Sequence, residues 1–169
     1  MAMISEPTTT LTDYAMALQC AIQALALRRA VRGSTMAPPP AVQLYVVGFS
    51  VAVLASFAGG TSHGFRPQLG EYWSPVWTVT IYSIVTAFIL LIAAGIRSSL
   101  HPQAGDAATR RAGRIWLVRG FGLTAIGLVV LVAKVSFHQH FNHNDLYHVI
   151  QMGGLYGVYR GACALHIRG

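Results

Sequence analysis

Long apolar stretches dominate this sequence and limit what it can fold into. Three of them, residues 41–60, 76–96 and 115–135, have about the length an α-helix needs to cross a bilayer, roughly 20 residues. Backbone groups within a bilayer must be satisfied inside the protein, so such stretches form helices rather than open sheets. We therefore predict an all-α, polytopic transmembrane helical bundle that forms a single domain over residues 1–169.

The composition supports this prediction. Only 10% of the residues are charged and the mean hydropathy is +0.51, whereas about 25% of the residues in an ordinary soluble domain are charged. The formal net charge of +7 would suit nucleic acid, but the basic residues are divided among loops and do not form one patch. The basic charge therefore reflects membrane topology, and we expect the lipid bilayer, not nucleic acid, as the partner.

Residues 145–167 are also long enough to span the bilayer, although they carry His148, Gln151 and Arg160. Polar side chains in a span normally face protein rather than lipid. We therefore expect this segment to be a helix buried among the others.

Residues 12–30 have two interpretations. Gln19 and Gln23 are four residues apart and share one helix face, so the segment is either a span that buries this face or a helix that lies in the membrane interface. We favour the span, which brings the number of predicted spans to about five.

Basic residues in the loops predict the orientation of these spans. They are concentrated in the first loop (Arg28, Arg29, Arg32) and in the third (Arg97, Arg110, Arg111, Arg114). By the positive-inside rule both loops are cytoplasmic, which places the N-terminus outside and the C-terminus inside. We expect an integral protein of a bacterial inner (plasma) membrane.

This orientation places five of the seven histidines on the outer side. His63, His143 and His148 are the candidate metal ligands, because imidazoles together with a carboxylate bind zinc and leave a position open for a catalytic water. A haem with two axial imidazoles is the alternative cofactor. A third alternative is that the histidines only form hydrogen bonds between helices.

Asp145 and Ser56 are the candidate catalytic residues. Asp145 lies three residues before His148 and on the same helix face, although a carboxylate in a first helical turn also serves as a cap. Ser56 lies about two turns before His63, and the two share a face if the helix continues through Gly59 and Gly60.

Small residues repeat every four positions in two of the predicted spans. One stripe is Gly153, Gly157 and Gly161, and the other is Gly48, Ala52, Ser56 and Gly60. Such stripes allow membrane helices to approach closely. We predict that these two spans contact each other, which would bring His63 toward His148, and that Gly153, Gly157 and Gly161 also pair with other membrane helices.

The stretch NDLYHVIQMGGLYGVY resembles the last helix of the CREST superfamily of membrane hydrolases, which includes the alkaline ceramidases and the progestin and adiponectin receptor relatives. In that superfamily a His-x-x-x-His motif opens the last of seven helices, and an earlier helix carries a serine and a third zinc-binding histidine. The resemblance implies that His148 is the second histidine of the motif and that His63, with Ser56 or Ser62, represents the earlier helix. Asn144 stands where the first histidine of the motif would be.

The leading hypothesis is a small membrane protein with an outward-facing His/Asp site that acts as a zinc-dependent hydrolase of lipid amides. The resemblance implies that zinc-bound water is the nucleophile, and Asp145 or Ser56 would orient it. The alternative is a non-catalytic membrane subunit that binds haem or pigment, or that docks onto a larger complex through its glycine stripe.

Overall fold

The computed structural model describes residues 4–32, 38–101, 105–136, 138 and 141–167. Its long elements are all α-helices, which confirms the predicted all-α class. They are α1 (Pro7–Arg32), α2 (Pro40–Gly64), the one-turn α3 (Arg66–Leu69), α4 (Trp73–Leu100), α5 (Ala107–Val132) and α6 (His143–His166), with a 3₁₀ turn at Gly70–Tyr72 before α4.

Three helical segments are long and apolar enough to cross a membrane: Pro40–Gly64, Arg66–Leu100 and Ala107–Val132. This finding indicates a membrane protein and agrees with the three clearest predicted spans. Each of the five predicted spans coincides with a long helix. α5 ends at Val132, three residues before the end of the predicted fourth span, and Lys134 adopts a positive φ of 53°.

The long helices alternate in direction. Close contacts of Gly60 with Tyr14 and of Gly127 with Tyr147 show that α1 is antiparallel to α2 and α5 is antiparallel to α6, while His148 contacts Thr12 across the parallel pair α1 and α6. The N-termini of α1, α4 and α6 therefore lie beside the C-termini of α2 and α5. We call this the site end of the bundle and the opposite end, which carries Arg28, Arg29 and Arg97, the arginine end.

The core is formed mainly where α2 packs between α1 and α4 and where α6 packs on α5. Tyr45 and Phe49 of α2 are fully buried, as are Leu27 of α1 and Leu165 of α6. α1 also contacts α6, so the two helical groups form one bundle. Buried apolar residues of both groups belong to one hydrophobic core.

The predicted pairing of the two small-residue stripes was wrong. A methyl group on Gly157 would lie 2.8 Å from the Cα atom of Gly120, so the α6 stripe packs against α5, and Gly153 is exposed. The α2 stripe packs instead on α4 and α1, and α2 and α6 contact each other at only a few points. A stripe of small residues promotes close approach but does not specify the partner helix. Gly157 and Gly161 are thus occupied within the chain.

Candidate functional site

A largely apolar cavity of about 580 Å³ lies at the site end, among α1, α2, α4, α5 and α6. Its apolar wall includes Ile81, Ile84 and Phe88 of α4. Its polar lining includes Asp13, Ser56, His63, Asn144, His148 and Gln151. The bundle therefore brings two of the predicted metal ligands and one of the predicted catalytic residues to the wall of one cavity.

A buried pair of Asp13 and His148 is the central polar feature of this cavity. The Nε2 atom of His148 lies 3.4 Å from Oδ1 of Asp13, and the two side chains are only 9% and 5% exposed. Asp13 Oδ2 is buried and has no hydrogen-bond partner among the described residues. An ionised carboxylate that is shielded from water and only partly paired is costly, which marks Asp13 as a candidate functional residue.

The hydrogen bonds of Thr12 determine where the imidazole proton of His148 lies. The Thr12 hydroxyl donates its proton to the carbonyl oxygen of Thr9 at 3.0 Å. Its oxygen lies 2.9 Å from Nδ1 of His148, and while the hydroxyl donates to Thr9 it accepts a proton from Nδ1. In the neutral ring Nε2 then carries a lone pair that faces the Asp13 carboxyl group. A proton or another cation between Nε2 and Oδ1 is needed to make this contact attractive.

His63 has a different environment at the rim of the site. Its Nδ1 atom lies 3.2 Å from Oε2 of Glu6, and these side chains are 20% and 44% exposed. The indole ring of Trp77 meets the imidazole edge-on with a centroid distance of 5.6 Å. His63 is therefore held between Glu6, which directly precedes α1, and Trp77 of α4, and it reaches both the cavity and the protein surface.

Ser56 lies on the same wall of the cavity as His63. α2 continues as one helix through Gly59 and Gly60 to Gly64, so the condition for a shared face is met. Ser56 is buried and its side chain lines the cavity.

Asp145 occupies the capping position that the sequence also allowed. Its Oδ2 atom accepts a hydrogen bond of 2.8 Å from the backbone amide of Asn142, and the Asn142 side chain accepts from the amides of Asn144 and Asp145. This reciprocal arrangement is a capping box. Asp145 is fully buried, and it is not among the described residues that line the cavity.

The three predicted metal ligands do not form a metal-binding group. His143 is the first residue of α6. It is not among the described residues that line the cavity, whereas its neighbour Asn144 is. In the part of the chain that the structure describes, no three His, Cys, Asp or Glu side chains are arranged to bind a metal ion.

Sequence reasoning missed Asp13 and Thr12, which provide the partners of both His148 ring nitrogens. The signal was present, because Asp13 lies inside the predicted span 12–30, and an acidic residue within a span is a candidate functional residue. Only the packing of α1 beside α6 brings Asp13 and Thr12 to His148.

Comparison with known proteins identifies a matching family. Two overlapping segments, residues 8–112 and 104–166, match the model of a family of unknown function (DUF6962). The chain belongs to the DUF6962 family. No curated protein and no solved structure matches the chain. Membership of DUF6962 carries no assigned activity, so the likeness to the CREST superfamily stays a prediction.

Proposed function

We propose that this protein is an integral membrane hydrolase that cleaves an acyl bond in a long-chain lipid. The observation that carries the proposal is the buried Asp13 and His148 pair on the wall of an otherwise largely apolar cavity of about 580 Å³. An apolar pocket with a few convergent polar groups is the usual form of a small-molecule site. Here the pocket lies in a bundle whose helices fit a bilayer, which favours a lipid as the ligand.

In this proposal all five long helices cross the membrane. The exposed side of α1 carries Leu11, Leu18, Ile22 and Leu25, which are each at least half exposed. Its polar residues Asp13 and Gln23 are buried, and Gln19 donates a hydrogen bond to the carbonyl oxygen of Met152. An apolar outer face and a polar inner face suit a span that packs on its polar side. By the positive-inside rule the site end faces outward from a bacterial inner membrane.

The free oxygen of Asp13 suits the role of a general base. A water molecule beside Oδ2 would give its proton to the carboxylate while its oxygen bonds to the acyl carbon. The bond from this carbon to the leaving oxygen or nitrogen then breaks, and the proton passes to the leaving alcohol or amine. His148 orients Asp13 and stabilises the charge that moves between them, and Ser56 orients the acyl group in the same cavity.

The residues at the site do not fit the predicted zinc. A catalytic zinc ion usually has three protein ligands, and the described residues assemble no such group. We therefore derive no step through a metal, and Asp13 takes the role of base that the sequence had suggested for Asp145. The haem and docking alternatives gain no specific support, since Gly157 and Gly161 are already packed on α5.

Release of fatty acid from N-acyl and O-acyl lipids by the purified protein in lipid nanodiscs tests the proposal. We expect Asp13→Asn to lower the rate by about 100-fold or more, as is typical for the loss of a general base. Asp106→Asn is the matched control, because it makes the same change in an exposed carboxylate ahead of α5. It should leave the rate unchanged. An unaltered thermal midpoint of Asp13→Asn would show that the fold is intact.

Two results would overturn the proposal: no fatty acid released from any lipid of the panel, or full activity in Asp13→Asn. Metal analysis and an absorption spectrum of the same sample separate the alternatives. Stoichiometric zinc that is lost in His148→Gln would replace the metal-free scheme with the zinc hydrolase, and a Soret band would favour the haem-binding subunit.

A further inference from the structure

An apolar cleft separates α4 from α5. α4 packs on α2 and α5 packs on α6, so the two helices face each other without close backbone packing along their length. The space between them has a volume of about 970 Å³. Its walls include Ile92 and Ile96 of α4 and Val118 and Ala125 of α5. The cleft runs from Phe88 and Leu128 toward Arg114 at the arginine end.

The cleft is continuous with the cavity at the site end. Phe88 of α4 and Leu128 of α5 line both spaces. Further toward the arginine end, the ring of Phe121 reaches across the cleft to α4, where a methyl group on Gly95 would lie 2.7 Å from the ring. An apolar path thus leads from the Asp13 and His148 pair to Phe121.

The side of this path is open. The wall residues Val85, Ile92, Ile96 and Val118 are between 46% and 73% exposed. α4 and α5 belong to the segments that are apolar enough to cross a membrane, so these side chains face the hydrocarbon of the bilayer. A hydrocarbon chain can therefore move into the cleft sideways without passing through water.

The dimensions favour a hydrocarbon chain over a helix from a second copy. The α5 wall from Leu131 to Val118 is about 20 Å long at 1.5 Å per residue. A helix is about 10 Å across with its side chains, and the ring of Phe121 already bridges the cleft from α5 to α4 beside Gly95, which leaves no room for a helix there. One extended acyl chain is much thinner and fits beside Phe121.

We propose that the cleft between α4 and α5 is the lateral entrance through which one acyl chain of a membrane lipid reaches the site. This inference rests on the proposed hydrolase activity and specifies its substrate. The scissile acyl group lies at Asp13 and the hydrocarbon tail extends along Phe88 and Leu128 toward Phe121. The substrate is thus a bilayer lipid that presents a single long acyl chain to the protein.

A substitution that fills the cleft tests this entrance. Leu128→Trp places an indole where the cavity and the cleft join. Val129→Trp is the matched control, because Val129 is the next residue, is 67% exposed and lines neither space. We expect Leu128→Trp to raise the KM for a long-chain lipid about tenfold, because overfilling a packed site typically weakens binding by about this factor. Val129→Trp should leave both KM and kcat unchanged.

Photolabelling with palmitic acid that carries a diazirine tests the same path without requiring hydrolysis. Label should concentrate on peptides that contain Phe88 and Leu128, and Leu128→Trp but not Val129→Trp should reduce it about tenfold. Equal labelling of all lipid-facing helices would overturn the entrance, as would an unchanged KM in Leu128→Trp. Disulfide-linked dimers of Ile92→Cys would assign the cleft to a second copy instead. Concentrated label without any hydrolysis would refute the hydrolase and leave the chain-binding cleft in place.

Discussion

His148 and His166 are both buried and lie about five turns apart on α6. Their hydrogen-bond partners differ in kind. At the arginine end, Nε2 of His166 lies 2.7 Å from the Ser98 hydroxyl, which donates its own proton to the carbonyl oxygen of Ala94. Nε2 of His166 therefore donates to Ser98, and a neutral ring satisfies this contact. At the site end, Nε2 of His148 faces a carboxyl group.

The comparison shows what separates a structural imidazole from a functional one. The His166 contact closes a chain of hydrogen bonds that ends on the backbone, and His166 lines neither the cavity nor the cleft. The His148 contact needs an additional proton and borders a space large enough for a ligand. Burial is nearly the same, at 7% and 8% exposure, so burial alone does not distinguish the two.

Replacing each of the two histidines by glutamine should give the largest difference in hydrolysis rate. His148→Gln should lower the hydrolysis rate by about 100-fold, because an amide neither carries the proton beside Asp13 nor stabilises its charge. His166→Gln should leave the rate within about twofold, since a group remote from the reacting atoms contributes little to the barrier. Fatty acid release by both variants measures this contrast. Equal losses in both variants would show that the two ends have the same role.

Ser98→Ala should affect stability and spare activity. It leaves both ring nitrogens of His166 buried without a partner among the described residues, since Nδ1 already lacks one. An unsatisfied buried polar group costs about 1–3 kcal/mol. The thermal midpoint in detergent should therefore fall while the hydrolysis rate of the folded protein stays unchanged. A variant that melts normally but is inactive would contradict a purely structural role.

Gly59→Ala should lower activity without loss of stability. A methyl group there would lie 3.4 Å from both Asp13 carboxylate oxygens and 3.5 Å from Cγ2 of Thr80, which is ordinary contact. The methyl group would displace water from the proposed base, and we expect the rate to fall by less than the roughly 100-fold expected for loss of the base itself. Gly153→Ala is the control, because its methyl group would meet only Leu123, at 3.7 Å. Equal rates in both variants would remove Asp13 Oδ2 from the mechanism.

Substitution of Asp106, the exposed N-cap of α5 at the arginine end, should have the smallest effect on stability. Hydrogen bonds from the amide and hydroxyl of Thr109 hold the pKa of Asp106 below its ordinary value. A carboxylate with a lowered folded-state pKa stabilises the protein above its ordinary pKa, and this contribution is lost as the pH falls through the folded-state value. Asp106→Asn should remove this pH dependence and leave the midpoint near neutral pH almost unchanged, since asparagine also caps helices. Thermal midpoints measured from neutral to acidic pH check this, and a steeper acid loss in the variant would contradict it.

The sequence predicted individual elements of the site better than their assembly. The Asp145 cap and the common face of Ser56 and His63 follow from spacing along one helix, and both are present. The two stripes of small residues do not pair as predicted, although α2 and α6 contact each other at a few points, because such a stripe does not specify its partner helix and Gly157 packs on α5. Asp13 was missed for a related reason, since its partner His148 is distant in the chain.

The sequence alone determined that this chain folds into helices suited to a bilayer, because the length and apolar composition of each segment are local properties that a lipid solvent acts on directly. Only the tertiary structure decided which helices are neighbours, and therefore that Asp13 rather than Asp145 meets His148 beside the cavity. That choice depends on the fit of side chains across helix pairs, which involves residues that are far apart in the sequence.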